Sequence, residues 1–315
     1  MKIIKYQHYH QTIWDSFVRN DAKNATFLHE RSFMEYHGHR FEDFSLLFWK
    51  NQELLAVLPA HVVEDCLYSH QGLSFGGILW HRYVRLQEVK EVYQALFTYL
   101  QEWSLEGFYF SPTPTIYHKA ICEEDLYATY LFGAKVQACE VGMVIDLEQP
   151  FPMQDRRWRA FDKAKKHSLS VEKSVQFEEF WTQILIPQLT EKYDRLPVHN
   201  IEEIRLLAQH FPLQIHLYTV KKEEELLAGV VVFEHQEVIH LQYIASNTVG
   251  RQVGALDFLL FHLWGNVYFH KRYLSFGISN TQHKQNALNE GLLEWKESWG
   301  ARLLTHLHYG IDFRP

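Results

Sequence analysis

The chain has too little of several things to belong to several large classes. Its 315 residues include three cysteines, Cys66, Cys122 and Cys139, widely spaced and without a C-x-x-C pair. That excludes a disulfide scaffold and fits a reduced, cytoplasmic protein. Basic residues are outnumbered: 31 Lys and Arg against 38 Asp and Glu give a net charge of −7. General nucleic-acid affinity comes from phosphate neutralisation by Lys and Arg, so DNA is not an expected partner. Long hydrophobic runs are missing too. The longest, such as Leu226 to Phe233, are strand-sized and too short to cross a bilayer. The opening residues Met1 to His8 lack the apolar segment of a secretory signal. No heptad pattern is sustained.

What is present is ordinary in bulk and informative in order. Hydrophobic residues make up 47% and charged residues 22%, the composition of a globular protein with sizeable cores. The length favours two domains, and the two halves resemble each other. Glu53-Leu54-Leu55-Ala56 opens a strand in the first half and Glu225-Leu226-Leu227-Ala228 opens one in the second. Each follows another strand across a short charged turn, the pattern of a β-hairpin. A further strand and a long helix come next, about Val84 to Trp103 and Val253 to Phe269. Then come a strand, a helix ending in Phe132-Gly133-Ala134-Lys135 or Trp299-Gly300-Ala301-Arg302, and a closing strand. Glycine at a helix end takes the left-handed cap at low cost. The paired marks point to a duplication with a boundary near Gln149-Pro150-Phe151-Pro152, dividing the chain into 1–150 and 151–315.

The richest segment runs from His240 to Leu260. It reads as a buried strand, a polar turn with Gly250 and Gly254, and an amphipathic helix. Backbone N–H groups left unpaired at such a turn, with the positive end of the helix dipole, suit a phosphate or pyrophosphate. Arg251 adds a charged fork. An ordinary strand–turn–helix corner gives the same pattern. Just past the boundary, Arg156 to Lys166 reads as a basic helix, either a solvated face or a phosphate-binding arm. Asn200-Ile201-Glu202-Glu203 is a capping-box start for a scaffold helix.

Two further patterns carry less. The H-x-H pairs His8/His10, His37/His39 and His306/His308 invite a metal, and on a strand such a pair shares one face. No carboxylate or cysteine at recognised ligand spacing supports them, so no metal is expected. Gly72-Leu73-Ser74-Phe75-Gly76 has the form of a nucleophile elbow, but strand-like Gly77-Ile78-Leu79-Trp80 follows where a helix is required.

With these elements in place, the second half resembles the GNAT acyltransferase superfamily. Arg251-Gln252-Val253-Gly254-Ala255-Leu256 matches the Arg and first Gly of its cofactor loop and departs at Leu256. The whole chain resembles the tandem-GNAT, FemAB-like transferases. The resemblance is carried by the basic helix, Pro197-Val198-His199-Asn200, Gln242 to Asn247, Gly254-Ala255-Leu256-Asp257, Phe276 to Asn280, and Leu288-Asn289-Glu290-Gly291-Leu292 through Lys296 to Ala301. In the first half Ser69 to Gly77 is the corresponding landmark.

The resemblance implies an α/β (α+β) fold of two tandem GNAT-like domains, each a mixed, mostly antiparallel sheet flanked by helices. The first, degenerate, would shape the acceptor side and the second would bind the donor. It implies transfer of an acyl group from acetyl-CoA or another acyl-CoA to an amine of a small or carrier-linked sugar or peptide, an envelope precursor. The alternatives are a Fem-type enzyme using aminoacyl-tRNA, with tRNA as partner, and a non-catalytic binding protein on the same fold. Under the resemblance, Tyr243 would protonate the leaving group and Asp312 would be the base. Ile244, Ala245, Asn247, Gly250, Arg251, Val253, Gly254, Ala255 and Asn280 would hold the cofactor, and Arg159, Lys163, His70 and Tyr309 the substrate.

Overall fold

The computed structural model describes residues 1–69, 71–281 and 287–313. Contacts divide the chain into two compact units, Met1–Glu140 with Thr305–Pro315, and Val141–Leu304. These are not the sequence halves: residues 141–150 group with the second unit, and the last strand groups with the first from Thr305 onward. Both units are mixed sheets carrying helices, with mostly antiparallel pairing, as the repeat implies.

In unit 1, Lys2–Lys5, Leu46–Lys50, Glu53–Leu58 and Leu79–Trp80 form one antiparallel sheet in that order. Apolar residues run without interruption through its middle strands, and each strand is buried on both faces. Leu46, Phe48, Ala56, Leu58 and Trp80 enter one core with Leu96 and Phe108; Leu47, Val57 and Leu79 enter another with Trp14 and Phe17. The alternation follows from the two-residue period of a strand. Beside them the strand Gly107–Phe110 pairs with Cys66–Tyr68 in parallel and with Tyr309–Asp312 of the Arg302–Asp312 strand antiparallel. The helix Leu86–Glu102 buries Val89, Val92, Tyr93, Leu96 and Leu100 at helical spacing.

Unit 2 has a sheet in the order Ser170–Ser174, Ile215–Lys222, Glu225–Glu234, Val238–Ser246, Tyr273–Ile278, closed by residues 141–146 of the Lys135–Asp146 strand. All its neighbours are antiparallel except the pair Val238–Ser246 and Tyr273–Ile278. The expected long helix, about Val253 to Phe269, forms over Ala255–His262 and continues as a π-helical turn over Leu263–Val267. A short helix, Thr248–Val253, precedes it and ends at Gly254 with φ +77°. In each unit the closing strand therefore comes from the other half of the chain. Among the described residues, no helix is long and apolar enough to cross a membrane.

Candidate functional site

Unit 2 opens where its one parallel pair comes apart. Val238, Ile239 and His240 face Tyr273, Leu274 and Ser275, and the pairing ends there. Val238–Ser246 continues for six residues along its antiparallel neighbour only, while Ile278 turns to pair with Gly142. The first strand also bulges: Val231 faces Tyr243 and Val232 faces Leu241, leaving Gln242 without a partner in the register. A bulge beside an opening re-aims side chains and backbone groups at one place.

At the mouth of this opening stands a residue that the sequence reading passed over. Lys296, on the helix Glu290–Glu297, is 2% exposed. Its Nζ donates to the Gly277 carbonyl at 3.0 Å and the Ile278 carbonyl at 2.6 Å. Gly277 has φ +67°, which turns the strand end toward the ammonium. Burial pushes the Lys296 pKa down to about 7. An ammonium has three donors and two are spent here, leaving one without a partner among the described residues. His240 lies next to it, with Nδ1 3.1 Å from Ser275 Oγ. Burial, with the Lys296 charge adding to it, lowers the His240 pKa to about 4, so the ring is neutral at pH 7. The readable signal for Lys296 was its place three residues before Trp299, on the buried face of its helix.

Tyr243 faces elsewhere. Its hydroxyl accepts the His199 N–H at 3.1 Å and lies 2.7 Å from His199 Nδ1. Its ring meets Trp181 edge-on at 5.1 Å. Burial pushes the phenol up to about 12. Ile244 and Ala245 continue its strand, and the Ala245 side chain is fully buried.

The glycine turn is filled by the protein itself. Asn247 caps the helix Thr248–Val253: its Oδ1 accepts the Gly250 N–H at 2.7 Å, and its carbonyl accepts the Arg251 N–H at 3.0 Å. A Cβ on Gly250 would lie 2.3 Å from the Leu227 carbonyl oxygen, and one on Gly254 2.6 Å from that of Ala160. Both glycines therefore let backbone approach backbone. Arg251 folds back, donating to the Ser246 carbonyl at 2.7 Å and Thr248 Oγ1 at 2.9 Å. Val253 packs against the core and Ala255 lies inside it.

The remaining candidates separate. Asn280 Oδ1 accepts the Val141 N–H at 2.7 Å, a stitch between strand ends. Arg159 and Lys163 lie exposed on one face of the helix Asp155–Ala164, one turn apart. Tyr309 and Asp312 belong to unit 1, where they pair with Phe110 and Gly107; the Tyr309 ring stacks on Phe110 at 5.5 Å within the core. His70 lies outside the described residues.

No protein-family model and no curated protein sequence matches the chain. Solved structures do. FemX is 13% identical, with 99% of this chain and 97% of that one covered and a TM-score of 0.69. L-PGS from Bacillus licheniformis is 12% identical over 99% and 93%, with a TM-score of 0.62. The C-terminal domain of a putative lysylphosphatidylglycerol synthetase from Agrobacterium fabrum is 8% identical over 96% and 92%, with a TM-score of 0.54. At these identities the likeness is one of fold, and it spans the chain: the protein has a fold like that of FemX and L-PGS over nearly its whole length.

Proposed function

We propose that this protein transfers an aminoacyl group from an activated ester, of the aminoacyl-tRNA type, to an amine of a carrier-linked envelope precursor, with unit 2 holding the donor. The observation that carries the reading is the buried Lys296 ammonium at the point where the two parallel strands part. In such a transfer the amine nitrogen attacks the acyl carbonyl, a C–N bond forms, and the ester C–O bond breaks. The amine gives up a proton and the departing oxygen takes one. Charge develops on the carbonyl oxygen in between, and the third N–H of the buried Lys296 is the donor to receive it. With a pKa near neutrality the same group can also pass a proton during turnover.

The choice of donor rests on the filled turn. A pyrophosphate needs free N–H groups and room at glycine, and here Asn247 takes the Gly250 N–H while Gly254 faces Ala160. The exposed pair Arg159 and Lys163, with no ion-pair partner among the described residues, suits a polyanionic donor. The fold likeness to FemX and L-PGS supports the same choice. Arg251, beside the same turn, favours acyl-CoA as the second reading.

The test supplies charged tRNA or acetyl-CoA to the purified protein, with a lysine-containing UDP-linked muramyl peptide as acceptor. We expect amide formation from the charged tRNA, about 100-fold or more slower in Lys296→Met, and no measurable acetyl-CoA binding. Micromolar acetyl-CoA affinity with acetyl transfer would install the acyl-CoA reading. Neither binding nor transfer would leave a non-catalytic binding protein.

A further inference from the structure

Unit 1 gathers three groups of metal-ligating chemistry that the reaction above does not use. His306 and His308 lie two apart on the strand Arg302–Asp312 and share a face. Glu140, on Lys135–Asp146, faces both. One carboxylate oxygen, Oε2, lies 3.4 Å from His306 Nδ1 and 3.1 Å from His308 Nε2. All three donor atoms fall within 4.8 Å of one another. A tetrahedral zinc ion with bonds of about 2.0–2.1 Å holds its ligand atoms roughly 3.3 Å apart, so the two carboxylate–imidazole distances already match.

The surroundings point the same way. Ser111 Oγ sits 2.5 Å from His308 Nδ1, the outer contact that fixes the orientation of a ligating imidazole. The Ser111 N–H donates in turn to Ser69 Oγ at 3.1 Å, which holds the serine in place. With Nδ1 engaged by Ser111, Nε2 turns toward Glu140 Oε2. A lone pair and a carboxylate oxygen at that distance repel unless a cation or a proton lies between them. His306 adds a cost of its own: its Nε2 is buried with no hydrogen-bond partner. A neutral contact of 3.4 Å through Nδ1 is a weak return on that burial, whereas a coordinate bond is a strong one. The His306 side chain is 9% exposed and that of His308 33%, so the cluster is seated in the protein yet open on one side for an ion to enter.

We propose that Glu140, His306 and His308 bind a divalent first-row metal ion, zinc by the fit of two imidazoles and one carboxylate, with water in the fourth position. The two strands that supply the ligands are neighbours in the sheet, so the ion clips one to the other.

The test titrates the full-length, metal-free protein with Co²⁺ and then displaces it with Zn²⁺. The expected result is one equivalent bound with the intense visible absorption of a four-coordinate Co²⁺ site, lost on adding Zn²⁺. Glu140→Gln and His308→Ala should each weaken Zn²⁺ binding about 100-fold or more, and Ser111→Ala about 10-fold. His10→Ala, which breaks a different H-x-H pair, should leave it unchanged. Weak, octahedral-type absorption alone, or affinity untouched by Glu140→Gln and His308→Ala, would overturn the proposal. Where a ligand variant fails to fold, the wild-type Co²⁺ spectrum decides in the same way.

Discussion

The two units repeat one order of elements and differ where a strand hands over to a helix. In unit 2 the nine-residue strand Val238–Ser246 passes through the capping Asn247 into a helix, and its parallel partnership stops after three residues. In unit 1 the corresponding strand is only Leu79–Trp80, and its helix begins at Leu86 after Arg85, where the cap comes from within the helix: Glu88 Oε2 accepts the Arg85 N–H at 3.1 Å. There the edge of Gly107–Phe110 is taken by Cys66–Tyr68, a strand of the hairpin it forms with His61–Val63. Counting back from the Gly-Ala marks, Lys296 stands where unit 1 has Thr129, whose hydroxyl donates to Leu126 of its own helix. The two units share this frame. Unit 2 leaves an opening with a charge in it; unit 1 fills the corresponding place with the strand Cys66–Tyr68.

The glycines at the matching helix ends differ most in what surrounds them. Gly133 and Gly300 both end a helix with positive φ, but a Cβ on Gly133 meets nothing within 4 Å, whereas one on Gly300 lies 2.4 Å from the Phe151 carbonyl oxygen. Gly300→Ala should cost about 3 kcal/mol, from left-handed strain plus overpacking, and Gly133→Ala about 1 kcal/mol, from strain alone. Urea unfolding of the two variants measures the difference; equal losses would mean that the crowding relaxes.

Lys296 sharpens the contrast by pH. Its folded pKa, about 7, lies below the ordinary lysine value of about 10.4. Between these values the unfolded chain binds the proton and the folded chain does not, so stability rises with pH through this window. The stability of the wild type relative to Lys296→Met should therefore increase from pH 7 to pH 10, whereas Thr129→Val should show no such trend. A flat difference in paired unfolding curves would argue against a desolvated amine.

The smallest effect belongs to Tyr243. Removing its hydroxyl in Tyr243→Phe breaks the contact with His199 and should cost about 1 kcal/mol. Transfer should continue at close to the wild-type rate. A large loss of rate without loss of stability would return Tyr243 to the chemistry.

The frame was readable in the sequence because duplicated punctuation survives: Glu-Leu-Leu-Ala at each hairpin, Gly-Ala at each helix stop, and the Asn200 capping box, which forms as expected with Glu203. Less of the site was readable. A lysine between Trp295 and Glu297 looks like a solvated helical residue, and the carbonyls of Gly277 and Ile278 that hold it lie on a separate strand. Glu140 stands 168 positions before His308, so no ligand spacing could reveal it. The bulge at Gln242 leaves no mark in a run of alternating residues. Tyr309 and Asp312 followed the sequence halves on paper and the other unit in space, because strand exchange is a tertiary choice that local pattern does not encode.

That exchange also sets the order of events when the chain is made. Unit 1 needs residues 305–313 for its sheet, and these are synthesised after every residue of unit 2. The first unit therefore waits with the Gly107–Phe110 edge uncovered until the second has been translated. Pairing across some two hundred positions is slow to find, and an open apolar edge in the meantime is a place where chains meet each other. The protein carries a dependence on timing that its finished fold conceals.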